Sequence, residues 1–171
     1  MTIDDEPVLE PDSPRIPEAN GTDPPLSDRI RRLVITQPYG VLCTHGEDHA
    51  YGSLVAHAFA EDLRTAVFAT PVATRKFRLL TEHDRVALVI DDRPENQAKM
   101  MAVEAITATG RARLVVAGPD RDLCAQMLLS RHPQLRSFVA SETCAIFRVE
   151  IIRFFQVARF QEVQQWVPGE A

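Results

Sequence analysis

The chain has 171 residues, 45% of them hydrophobic, and a formal net charge of −5 at pH 7, enough for one domain with a true core and short of what two usually need. Residues 1–25 hold six of the 12 prolines and a net charge of −6, so the remainder is nearly neutral and lacks the clustered basic face of a general nucleic-acid binder. No apolar run approaches the roughly 20 residues of a membrane span, and the acidic N-terminus is unlike a signal peptide, which points to a cytoplasmic protein.

Residues 1–25 are expected to form a disordered acidic tail, because so apolar-poor a segment cannot offset its ordering entropy, and residues 26–171 to form one domain. Ser27 is placed to cap a short helix in which Ile30, Leu33 and Val34 recur at helical spacing, and Pro38 stops it. This helix should pack across one end of a sheet. Tyr39 to Thr44 and Ala50 to Ala60 read as strands joined by the polar turn 45–49, and residues 61–64 turn into a third strand, Thr65 to Ala69. A helix from Thr74 to Thr81 precedes a buried-looking strand, Val86 to Ile90, and a polar connection through Gln97.

Ala105 to Val116 is the longest strand candidate, with Gly110 a bulge or bend. Pro119 suits the first turn of a helix reaching Arg131, where His132-Pro133 interrupts it, and a second helical piece follows over 134–139. Residues 144–160 alternate apolar with polar side chains and read as a hairpin closing the sheet. About seven strands, few and short helices, no repeat and no G-x-G-x-x-G predict a mainly β protein: a small antiparallel barrel, not a doubly wound sheet. Cys43, Cys124 and Cys144 are odd in number and far apart, so they read as buried, reduced thiols.

The most informative stretch runs from Phe68 to Leu80, where a β-like segment enters a helix whose first turn carries Thr74, Arg75 and Lys76. A helix N-terminus offers unpaired N–H groups and the positive end of the macrodipole, and a hydroxyl and two cations beside them make a phosphate seat. The same residues also fit an ordinary solvated helix start. His57 interrupts the apolar run Leu54 to Phe59; it reads either as an acid facing a substrate or, more commonly, as a hydrogen-bonded histidine at a barrel rim. His45 and His49 flank a polar turn and read as solvated, with no third ligand in sight for a metal.

Tyr51 to Phe59, Thr65 to Thr70, the T-R-K helix and Asp84 to Ile90 follow in an order that resembles the FMN-binding split-barrel superfamily of the pyridoxamine 5'-phosphate oxidases, most closely its haem-utilisation branch. Residues 110–114, 130–133 and 145–149 extend the resemblance over about 38–160. It implies a split β-barrel, a homodimer with the cofactor at the interface, and a flavin-dependent oxidoreductase acting on a small molecule. Thr74, Arg75 and Lys76 match the family's phosphate segment. Ser53, Leu54 and Val55 match the strand beneath the flavin ring, and Ala69 and Thr70 a strand end that also touches the cofactor. Gln164, Gln165 and Trp166 lie where relatives send residues over the partner's flavin; a loosely packed tail tryptophan is the other account.

Two departures limit what carries over. The oxidases proper end with an Arg-x-His substrate motif, whereas this chain ends Gln164 to Ala171, so oxidation of vitamin B6 is not implied. Its last histidine is His132, which leaves no C-terminal haem ligand. No catalytic residue is identified. The alternatives are a non-enzymatic flavin or haem carrier or sensor, and a deazaflavin-dependent reductase.

Overall fold

The computed structural model describes residues 24–159 and 162–169, so the expected acidic tail lies almost wholly outside the described residues. Helix α1 (Leu26–Thr36) starts on backbone alone: the Pro25 carbonyl accepts from Asp28 and Arg29, at 3.0 and 3.1 Å. Ser27, expected as the cap, lies inside the first turn, because Pro25 already supplies the extended residue at which the helix begins. Strands β1 (Tyr39–His45), β2 (Ala50–Phe59) and β3 (Thr65–Pro71) form the expected meander, and α2 (Arg75–Glu82) follows. Then come β4 (Arg85–Asp91), β5 (Ala105–Leu114), α3 (Pro119–Arg131), the single turn α4 (Arg136–Val139), β6 (Cys144–Ala158) and β7 (Glu162–Trp166).

All strands join one antiparallel sheet in the order β3-β2-β1-β4-β5-β6-β7, and pairing of β3 with β6 closes the first six into a barrel. The fold is the mainly β antiparallel barrel that the strand pattern predicts, of the split type that the family resemblance implies. Alternation sends Leu42, Val55, Phe68, Leu88, Ile106, Ala108 and Phe147 inward. One end of the interior is filled by Ile30, Leu33 and Val34 of α1, and Leu80 and Phe77 of α2 also pack into it. A smaller cluster lies outside the barrel, where Cys124 and Leu128 of α3 cover Ala58, Val67 and Ile146. The cysteines are free thiols; Cys124 and Cys144 are buried and Cys43 is half-buried.

Two features of the barrel wall differ from expectation. Residues 144–158 form one 15-residue strand, not a hairpin, because β6 must pair with β5 along one edge and with both β3 and β7 along the other. The bulge does fall at Gly110, but the extra residue belongs to β6: Gly110 pairs with Ile151 and Thr109 with Arg153, leaving Ile152 unmatched. A side chain at 110 would press into the Glu150 carbonyl and stand 2.9 Å from Cγ1 of Val149. Gly110→Ala is therefore expected to cost about 2 kcal/mol, as overpacking against backbone does. Urea denaturation would check it, and an unchanged midpoint would show that the bulge yields freely.

Candidate functional site

Helix α2 starts at Thr74, whose extended backbone and side chain form an N-cap: its Oγ1 accepts from the Phe77 N–H at 3.3 Å. The same hydroxyl donates to the Pro71 carbonyl at 2.9 Å and stands 3.0 Å from Thr70 Oγ1. The two threonine hydroxyls thus brace the turn between β3 and α2. Arg75 and Lys76 occupy the first two helical positions, and the first turn holds no acidic residue. Two cations at the positive end of a helix dipole oppose the dipole by about 0.3–1 kcal/mol each, a cost that an anion bound there would reverse.

Lys76 is not left to solvent. Its Nζ donates to the Leu54 carbonyl on β2 at 3.3 Å, and partial burial lowers its pKa. Arg75 is exposed and lies over the Tyr51 ring, 5.2 Å from the centroid. The start of α2 is thereby tied to β2 over Tyr51 to Leu54, so the two segments singled out from the sequence converge although about 20 residues separate them. Ser53, between these contacts, has a buried Oγ with no hydrogen-bond partner. A buried, unsatisfied hydroxyl costs about 1–3 kcal/mol unless something supplies the missing bond. Two cations on a helix N-terminus fit a phosphate-bearing ligand.

The remaining sequence candidates divide. Thr70 is fully buried against Thr74, within the seat. The Leu54 side chain is 66% exposed on the outer face of the barrel, while Val55 points inward and belongs to the core. Ala69 packs on the α3 side with the outer cluster, away from Thr70 and Thr74. Trp166 is no loose tail: it pairs with Phe154, ring centroids 5.8 Å apart, and packs against the core. His45 and His49 are exposed as expected, but His45 also stacks on His83 at 4.5 Å. Among the described residues no group of three His, Cys, Asp or Glu could hold a metal ion.

His57 departs from both of its sequence readings. It is fully buried, facing inward beside Phe59, and neither ring nitrogen has a hydrogen-bond partner; its backbone carbonyl pairs with His132 Nε2 at 2.9 Å. Burial, and then the positive fields of Arg131 and His132, push its pKa down to about 3; the Tyr39 backbone opposes them weakly without reaching hydrogen-bond geometry. A neutral, enclosed imidazole cannot exchange protons with a substrate. Its role is packing.

What the sequence missed is a groove of about 690 Å³ beside Leu54, lined by Tyr39, Val41, Val89, Arg93 and Pro94 among others. Its walls come from three strands and a connection, and no contiguous motif announces it.

Residues 26–157 match the pyridoxamine 5'-phosphate oxidase family. The chain belongs to that family. Among solved structures, the heme-binding protein from Mycobacterium smegmatis superposes with a TM-score of 0.75 at 15% identity, over 85% of this chain and 59% of that one. ChuZ from Campylobacter jejuni does so with a TM-score of 0.72 at 9% identity, over 84% and 59%. A FAD-binding protein from Mesorhizobium loti gives 0.62 at 11% identity, over 76% and 92%. At such identities the likeness shows the fold. The chain spans 59% of the length of the first two, and no curated protein matches it by sequence. No helix among the described residues is long and apolar enough to cross a membrane.

Proposed function

We propose that this member of the family binds FMN, and that it is a flavin-dependent oxidoreductase working as a homodimer on a small molecule. The observation that carries the reading is that Arg75 and Lys76 open α2 and tie its start to β2, through the Tyr51 ring and the Leu54 carbonyl. Arg75 would chelate two phosphate oxygens, Lys76 would act as a point charge, and the free N–H groups of the first turn would complete the seat. The β2 backbone over Ser53 to Val55 would lie under the ring. Bound there, the flavin supplies the electron chemistry, while the protein sets its orientation and solvent access. Support for the dimer is that α3 covers the barrel wall only around Ala58, Val67 and Ile146; elsewhere the outer face carries half-buried small or apolar residues such as Cys43, Ala87, Val89 and Phe155.

A haem carrier or sensor is the second reading, favoured by the fold shared with the heme-binding protein from Mycobacterium smegmatis. The absorption spectrum of freshly purified protein separates the two, with mass analysis of whatever dissociates on denaturation. A flavin spectrum and released FMN are expected. A Soret band would replace this reading with the second, a deazaflavin would keep the seat but change the cofactor, and a colourless protein that also fails to bind added FMN would overturn it.

A further inference from the structure

We propose that Tyr51 is a positioning residue: its ring holds the Arg75 guanidinium in the pose that presents N–H groups to the phosphate of a bound ligand. The link to FMN rests on the flavin reading; the pose of Arg75 does not. Arg75 is exposed, and its guanidinium carbon lies over the Tyr51 ring, 5.2 Å from the centroid. Among the described residues it makes no ion pair, and the first turn of α2 offers no carboxylate. The aromatic ring is therefore what holds the guanidinium in place. An unrestrained arginine loses much of its rotamer freedom when it grips a ligand, and one already held by a ring has less to lose.

The ring and a phosphate make different demands on the guanidinium. Cation–π attraction requires no hydrogen bond from the cation, so the N–H donors remain for a phosphate to accept from in parallel. A carboxylate in place of the ring would have taken those donors and cancelled the charge. Both sides of the contact are fixed by backbone. Tyr51 lies opposite Thr44 in the ladder of β1 and β2, and its carbonyl accepts from the buried Thr44 hydroxyl at 3.1 Å. Arg75 follows Thr74, whose hydroxyl caps α2 and donates to the Pro71 carbonyl. Lys76 is held in another way, by donating from Nζ to the Leu54 carbonyl. Strand β2 thus anchors both cations of the seat through contacts that neutralise neither.

The test titrates FMN, and riboflavin, which lacks the phosphate, into the full chain and its variants and follows flavin fluorescence. Tyr51→Leu is expected to weaken FMN about fivefold and to leave riboflavin unchanged. Tyr51→Phe, which keeps the ring, should retain the affinity for FMN. In an Arg75→Ala background Tyr51→Leu should have no further effect, because the ring acts only through that side chain. Inorganic phosphate, followed by NMR of the Arg75 Nε–H in the full chain freed of flavin, repeats the comparison of Tyr51→Leu without a ring system. Equal weakening of FMN and riboflavin by Tyr51→Leu, an equal loss in Tyr51→Phe, an undiminished loss in the Arg75→Ala background, or phosphate binding indifferent to Tyr51→Leu would each overturn the proposal. A chain that takes no FMN but binds phosphate with the expected dependence on Tyr51 would uphold the positioning role and sink the flavin reading alone.

Discussion

The Arg75→Ala, Lys76→Ala double variant is expected to purify without FMN and to bind added FMN at least ~100-fold more weakly, with its thermal midpoint moved by no more than a few degrees. A charge-assisted hydrogen bond contributes about 1.5–3 kcal/mol, and two lost together amount to about two to four orders of magnitude in Kd. The fold should tolerate the change, because both side chains sit at the positive end of the α2 dipole and removing them relieves that opposition. What is lost in return is one hydrogen bond, from Lys76 to the Leu54 carbonyl, and the stacking of Arg75 on Tyr51. Equilibrium dialysis against FMN with a parallel melting curve decides the matter. Unchanged flavin content in the folded variant would remove the phosphate seat from α2.

The second large effect is a loss of stability in acid that traces to one buried side chain. His57 has its folded pKa lowered from 6.5 to about 3, so it contributes stability that is complete above pH 6.5 and is lost progressively as pH falls toward 3. The direction follows from proton counting: between those values the unfolded chain binds a proton that the native interior excludes. At pH 4.5 the loss relative to neutral pH is on the order of 3 kcal/mol. The groups acting on the ring, Arg131 and His132, add to the penalty because a charged His57 would face them without an acceptor on either nitrogen. His57→Leu, close in volume, should abolish most of this loss while keeping neutral-pH stability, since the His57 contact with His132 is made by the backbone. Urea unfolding of both proteins at pH 7 and pH 4.5 tests it. An equal acid loss in the variant would place its origin elsewhere, in the carboxylates that pair with Arg29, Arg32 and Arg111 for example.

Much of this protein is legible in one dimension. Period-2 alternation over Tyr39 to His45 and over Ala105 to Ala112 is imposed by the pleat, so inward and outward faces can be read before the strands are paired. Pro38 and Pro119 mark helix limits through their fixed φ and missing N–H, and the run Thr74, Arg75, Lys76 marks a helix start. Those are local properties, set by residues in contact along the chain.

What local pattern cannot carry is the choice between partners that are equally good in isolation. Residues 144–158 alternate as a hairpin arm would; only the long edge of β5 and the two strands β3 and β7, on the other side, make them one continuous strand, and only the approach of Glu150 to Gly110 puts the extra residue at Ile152. Similarly, nothing near Ser53 says that its hydroxyl will be buried without a partner, and nothing near His57 says that its ring will be fully buried beside Phe59 rather than left at a rim. Those outcomes depend on barrel closure, which brings β3 against β6 across about 80 residues of chain and fixes which polar atoms end inside. The sequence by itself determined most of the strands and the start of α2 with its two cations, because these follow from periodicity and backbone chemistry. The tertiary structure alone decided the bulge, the groove beside Leu54, the orphaned Ser53 and the neutral His57, because burial and pairing are properties of segments distant in the chain.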